Sequence, residues 1–363
     1  MRLAVVGGGI AGCMLALRLL QRRPRPVVEL FAPGPLFDKD ATAASGGLVR
    51  AFEKNMSACE LAAASMTELL GDAWLREAGA YREIGSAYVL PADVDCAPQL
   101  ELVNSRLPGS ARLLSTAEVR HEIGLADLPV GCSAVLERHA GYLSPAALRS
   151  AVLDRAAGLG AIVTDASVTR LTHGPRVTMA DGSTRSFDAV VVATGAWTPA
   201  LLGTVSLRTR QIQYGVYPVA PPAPGCFVDD VSGLYGRPFA TGWSLLGMAT
   251  ARWDAHPRDA AVDGVLAERV GVTARRVFGL PEPLPRPMRL VAAVDCFASE
   301  GGLMLRTVPG MTGIFTFTGG AGSAAKTVVA ASRKAADALV YGTPCASESL
   351  SHSQDRRPRA AGV

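Results

Sequence analysis

Histidine is scarce in this 363-residue chain: there are five, and none falls in an HxxxH or HExxH arrangement. The seven cysteines (13, 59, 96, 132, 226, 296 and 345) are odd in number and contain no CxxC pair. Metal centres need clustered ligands at fixed spacing, and disulfide frameworks need an even, ordered set, so neither is expected. Reduced thiols in the cytoplasm are the expectation instead. An excess of one charge is also lacking, with 36 Lys+Arg against 32 Asp+Glu and a net charge of +4. No basic block interleaved with aromatics precedes the C-terminal tail, so nucleic acid is not an expected partner. Long apolar runs are missing too: none reaches the roughly 18–20 residues that cross a bilayer. The N-terminal stretch resembles an export signal with a lipidation site at Cys13. Arg18 interrupts it, however, and its glycines have a structural task, so a signal peptide and a membrane partner are excluded from the expectation.

Core-forming material is abundant, at 49% hydrophobic residues, enough for two domains or one large one. Residues 3–6 (LAVV) read as a buried strand, 10–20 as a helix and 27–31 as a second strand, a βαβ beginning. Between strand and helix lies Gly7-x-Gly9-x-x-Gly12, with Ile10 and Ala11 opening the helix. Gly7 permits a tight turn, Gly9 lets backbone approach a pyrophosphate, and Gly12 allows close helix–strand packing. The helix N-terminus then faces phosphate charge. Glu29, 17 residues after Gly12, is expected to accept from ribose hydroxyls; an exposed strand-end carboxylate is the plainer reading.

Further on, residues 57–70 look helical, and Ser144-Pro145 starts another helix. Short strands follow from 161, including one that begins at Val168, a residue expected to contact the cofactor, with Asp181-Gly182 as a hairpin turn. VVVATGAW (190–197) is a second strand running into a glycine turn, Thr194-Gly195 with Trp197 beyond it. TGGAG (318–322) is a third, with Gly319, Gly320, Ala321 and Gly322 ahead of a long helix. Residues 206–290 carry many prolines and short alternating runs, as in an antiparallel β region. Three backbone approaches by small residues suit a cofactor longer than a nicotinamide dinucleotide, and their order favours FAD. Three ordinary turns of an α/β sheet are the alternative.

The segments VVGGGIAG, VELFAPGP, GGLVRAFE, GYLSPAALRSAV, ATGAWTPALL, LYGRP and TGGAGSAAKT together resemble the D-amino-acid oxidase superfamily of flavoproteins. The likeness is to its monomeric sarcosine oxidase and glycine oxidase branch, and it runs from Arg2 to about Leu339. It implies an α/β fold, with a Rossmann-like FAD-binding domain and an inserted, mainly antiparallel β-sheet substrate domain. The implied FAD-binding segments are 1–80, 141–205 and 291–342; the substrate segments are 81–140 and 206–290; 343–363 is a polar, disordered tail. The implied chemistry is oxidation of a C–N bond of an amine or amino acid to an imine, with hydride transfer to flavin N5. Oxygen or another acceptor takes the electrons.

Three residues are singled out by the same resemblance. Arg50 matches an arginine that meets the substrate carboxylate; a surface role, or pairing with Glu53 or Glu60, is the alternative. Cys296 falls where some members attach the flavin covalently, though free cysteine is also a common buried filler. Lys326 lies near a carboxylate-binding lysine whose own place is taken by Ala324, and a solvated helix residue is its plainer reading. Leu245 and Ala249 stand where the family carries a lysine and a histidine that assist oxygen, which weakens the oxidase expectation. Tyr214, Tyr217, Trp243 and Met248 suggest an aromatic, apolar pocket or ordinary core. A dehydrogenase with another acceptor, and a flavin-binding protein without turnover, stay open beside the oxidase. So do substrate and oligomeric state.

Overall fold

The computed structural model describes residues 1–34, 40–203, 206–220, 225–282, 286–299 and 301–342, so the expected tail lies outside them. The apolar N-terminal run becomes the strand Arg2–Val6 at the centre of a six-stranded sheet. The strand order is Met304–Thr307, Ile314–Thr318, Ala189–Val192, Arg2–Val6, Val27–Phe31 and Ile162–Thr164. All neighbours run parallel except the edge strand Met304–Thr307. Leu3 and Val5 pack with the helices Ile10–Leu20, Pro145–Gly158 and Ala324–Tyr341. Ala4 and Val6 face the opposite layer, a three-stranded antiparallel sheet of Val168–Thr172, Arg176–Met179 and Thr184–Ser186. Burial on both faces explains why these strands are apolar throughout.

Helix starts follow their local signals. Ser144 Oγ accepts from Ala147 N at 3.2 Å ahead of Pro145, and Asn55 caps Met56–Gly71 through Ala58 N at 3.0 Å.

The second large unit is an eight-stranded sheet. Its order is Arg289–Ala298, Leu207–Tyr217, Trp243–Gly247, Tyr235–Ala240, Cys226–Asp229, Ser86–Leu90, Ser133–Glu137 and Ala111–Leu114. Only the pair Cys226–Asp229 and Ser86–Leu90 is parallel. One face is covered by the helix Gly264–Phe278, whose Leu266, Val270, Ala274 and Val277 pack on Ala87, Tyr217, Phe227 and Leu246. The other face turns toward the six-stranded sheet. A small sheet of Leu48–Val49, Gly141–Tyr142 and Arg82–Glu83 links the two units.

The expected segment boundary at 290/291 is displaced. Arg289–Ala298 is an edge strand of the larger sheet, paired along its whole length with Leu207–Tyr217, so the chain returns to the parallel sheet only after it. Among the described residues, no helix is long and apolar enough to cross a membrane.

Candidate active site

The three glycine turns meet at the carboxyl edge of adjacent parallel strands, where α/β sheets hold ligands. A Cβ on Gly12 would stand 1.9 Å from Gly7 O, and one on Gly7 would stand 2.5 Å from Ala193 O. Both positions therefore require glycine, and the first turn is locked against the ATGAW turn. A Cβ on Gly9 would meet nothing nearer than Thr42 Oγ1 at 3.5 Å, which leaves open room above the helix. The helix Ile10–Leu20 has neither a side-chain cap at Gly9 nor an acidic residue in its first turn. Ile10 N donates to Thr42 Oγ1 at 3.1 Å, and Ala11 and Gly12 follow in the turn. An electropositive helix end without a carboxylate is suited to a diphosphate.

In the other two turns, Thr194 Oγ1 and Thr198 Oγ1 lie 3.0 Å apart, Gly195 has φ +53°, and Trp197 is part-exposed with its ring 5.0 Å from His256. Gly319, Ala321 and Gly322 all have positive φ, and Gly320 bridges to Phe297 on the larger sheet. Ala321 N donates to Cys296 O at 3.0 Å, and Gly322 N donates to Asp295 Oδ2 at 2.6 Å. The third turn is thus tied to the larger sheet.

Glu29 does not stand at a strand end. It is the middle residue of Val27–Phe31, fully buried, facing the three-stranded sheet rather than the carboxyl edge. Its carboxylate is taken by Arg185 and by Arg2 at 3.2 Å, and it accepts from Thr164 Oγ1 at 2.8 Å. The residue that follows the strand is Ala32. The ribose role expected of Glu29 is therefore corrected to a buried ionic tie between two layers. Val168 opens its strand half-buried against the same layer.

Residues 46–53 form the inner wall of the junction. Arg50 is buried; its Nη2 lies 2.7 Å from Glu53 Oε1, its Nε donates to Phe52 O at 3.2 Å, and its guanidinium sits 5.0 Å over the Tyr88 ring. Lys326, in the first turn of Ala324–Tyr341, is buried against the same Glu53 carboxylate rather than solvated. Glu137 accepts from Ala51 N and Phe52 N, both at 2.9 Å. Burial, ahead of the neighbouring Arg50 charge, brings Lys326 down to about 8. Burial pushes Glu53 up, but Arg50 and Lys326 outweigh it and hold the carboxyl below its ordinary value. Of the alternatives for Arg50, pairing with Glu53 is the one observed.

Residues 2–338 match the family described as FAD dependent oxidoreductase. The chain belongs to that family. Among solved structures it is similar to L-proline dehydrogenase from P. horikoshii (TM-score 0.79, 16% identity, 94% of each chain covered). It is also similar to glycine oxidase from Geobacillus kaustophilus (TM-score 0.77, 20% identity, 98% of this chain and 100% of that one). A third likeness is to NikD, an amino acid oxidase of nikkomycin biosynthesis (TM-score 0.72, 20% identity, 94% of each chain). Among curated proteins, none matches this sequence.

This FAD dependent oxidoreductase fits its cofactor at the diphosphate. The uncapped helix end and the open space at Gly9 accommodate one, whereas the strand end at Ala32 supplies no carboxylate for the ribose. Cys296 is buried, as in the filler reading of the sequence. Its side chain is wholly enclosed with Leu207 and Ala298, and burial pushes the thiol up to about 11. Asp295, one residue earlier, points from the opposite face of the strand and reaches the third turn. The thiol itself lies against Thr318 and Gly319, so Cys296 and Asp295 both reach that turn.

The aromatic pocket divides in the same way. Tyr217 donates to Ala267 O at 2.8 Å and, with Met248, belongs to the core beneath the covering helix. Tyr214 and Trp243 share the inward face with Leu245, by the register of their strands. Leu245 reaches within about 3.6–3.7 Å of a Cβ built on Gly46, so the wall there is apolar. Directly across from Leu245 on the neighbouring strand is Arg237, which the sequence displayed in LYGRP as a lone charge between apolar neighbours.

Proposed function

We propose that this FAD dependent oxidoreductase oxidises the C–N bond of an amine or amino acid to an imine. The reading is carried by one observation: the three glycine turns and the inward face of the eight-stranded sheet meet at a single junction, tied through Gly46, Asp295 and Phe297. The likeness to amino-acid oxidases and a proline dehydrogenase supports the same chemistry. In the overall change, the substrate loses two electrons and two protons as its C–N bond becomes double. FAD, when bound, supplies the acceptor for the electron pair, and oxygen or another acceptor is the final sink.

The chain's own residues orient and shield. The turns at Gly7–Gly12, Thr194–Gly195 and Gly319–Gly322 hold the cofactor backbone. Arg50 and Lys326, matched through Glu53, position the inner wall. Leu245, Tyr214 and Ile212 give an apolar face that favours the neutral amine, the form that reacts. A second reading, a dehydrogenase with an acceptor other than oxygen, is favoured by Leu245 and Ala249, neither of which places a cation there.

Anaerobic mixing of the holoenzyme with a panel of amines and amino acids tests the reaction. Bleaching of the flavin absorbance by at least one compound is expected, and no bleaching by any would leave only a binding protein. Admitting air to the bleached enzyme then separates the two readings: rapid return of colour marks an oxidase, and slow return a dehydrogenase.

A further inference from the structure

Resting on that reading, we propose that Arg237 holds the carboxylate of an amino-acid substrate, so that this enzyme acts on carboxylate-bearing amines. Other arginines that are buried or mostly buried allow a comparison. Arg18, Arg50 and Arg149 each face a carboxylate, from Glu68, Glu53 and Asp40 respectively. Arg237 has no such partner: among the described residues, no carboxylate lies in ion-pair contact with it, and the charged or ionisable groups around it are Tyr142, Cys226 and Tyr214. Burial holds its pKa below the ordinary arginine value.

A desolvated guanidinium without a counter-charge is costly unless an anion arrives. Arg237 is also fixed in place. Its Nε donates to Gly46 O at 2.6 Å, its Nη1 to Pro238 O at 2.7 Å, and its guanidinium stacks 4.3 Å from the Tyr142 ring centroid. These contacts leave Nη2 and the second Nη1 hydrogen without a described partner, a fork that matches the two oxygens of a carboxylate.

Its position suits the role. Register places it beside Leu245, on the inward face shared with Tyr214, and Gly46 opens the segment that leads to Arg50. Arg50 is less free to take a carboxylate. With Lys326 it contributes two positive charges, and Glu53 and Glu137 stand against them in the same cluster. In that cluster the charges are matched, whereas Arg237 faces no described carboxylate.

The test is calorimetric titration of the FAD-loaded enzyme with acetate, pyrrole-2-carboxylate and benzoate, with benzamide as the neutral counterpart of benzoate. At least one carboxylate is expected to bind, and benzamide is expected to bind at least about tenfold more weakly than benzoate or not at all. Arg237→Met should weaken carboxylate binding roughly a hundredfold and Arg237→Lys about tenfold, because lysine keeps the charge and loses the fork. Flavin content and thermal melting identify any variant that fails to fold; should Arg237→Met fail, Arg237→Gln replaces it in the same titration.

Unchanged binding in the folded Arg237 variants overturns the proposal, as does loss of binding in Arg50→Met alone. So does failure of all three carboxylates to bind the wild type while a carboxylate-free amine bleaches the flavin; that result leaves amine oxidation standing. Carboxylate binding through Arg237 without bleaching by any amine supports the anion site and removes the oxidation reading.

Discussion

Gly12 and Glu29 illustrate how differently two residues of one motif depend on their surroundings. Gly12→Ala places a carbon against the carbonyl of Gly7, which the backbone must yield to accommodate. The purified variant is expected to retain less than about a tenth of the wild-type flavin, read as the ratio of flavin to protein absorbance. Glu29→Ala should leave that ratio near the wild-type value, because its carboxylate serves Arg185, Arg2 and Thr164. Its cost falls on stability, about 1–3 kcal/mol by urea denaturation, since both arginines are partly exposed and water screens them. At Cys296, acid precipitation is expected to release all of the flavin into the supernatant; colour in the pellet would reverse the placement argued from its enclosure. The glycine spacing was legible because it expresses local backbone geometry. The destination of Glu29 was not, since Arg185 is 156 residues away.

Elements show the same division between local and distant causes. The helices starting at Ile10 and Pro145 follow from caps, proline and periodicity, all carried within a few residues. The inward and outward faces of Leu207–Tyr217 and Arg289–Ala298 could not be read in this way. Alternation tells which residues share a face, but not which face meets the cofactor sheet, and here both faces are covered. For that reason Tyr214 and Tyr217 stayed open between pocket and core in the sequence, and only the register separates them, with Tyr217 in the core beneath the covering helix and Tyr214 on the inward face.

The helix Ala324–Tyr341 and the segment 46–53 are joined through Glu53, which gives the junction a pH dependence. With the Glu53 carboxyl held below its ordinary value, the folded state binds fewer protons than the unfolded chain. Its stabilisation is complete above the ordinary carboxylate range and is lost as pH falls through and below it. Glu137, pushed up by burial, contributes in the opposite sense. Comparing wild type with Glu53→Gln isolates the first effect: between about pH 5 and pH 3, wild type should lose more stability in denaturant titrations.

For the whole molecule, the cofactor is expected to act as a structural member between the two large sheets. Ligand that binds only the folded state stabilises it by mass action, about 2.7 kcal/mol at a free concentration of 100 times Kd. Flavin-stripped protein should therefore melt several degrees below the loaded form, and added FAD should restore the difference. Equal melting temperatures would mean that the two sheets hold each other without it. The α/β class with an inserted antiparallel sheet was legible from motif order, whereas the return point of the chain was not, because Arg289–Ala298 is apolar enough to serve either sheet.

The interleaving of the sheets has a consequence for synthesis. The strand Ile314–Thr318 lies beside Ala189–Val192, and the larger sheet closes with Arg289–Ala298 against Leu207–Tyr217. A ribosome emits the chain from its N-terminus, so neither sheet can be completed until these late strands have emerged. Throughout most of translation the apolar strands of both cores wait with open edges, and pairings of such long sequence separation form slowly. Production of this protein is thus governed by how long a nascent chain can be kept from neighbouring chains, and slower, cooler expression is the condition under which its two halves find each other.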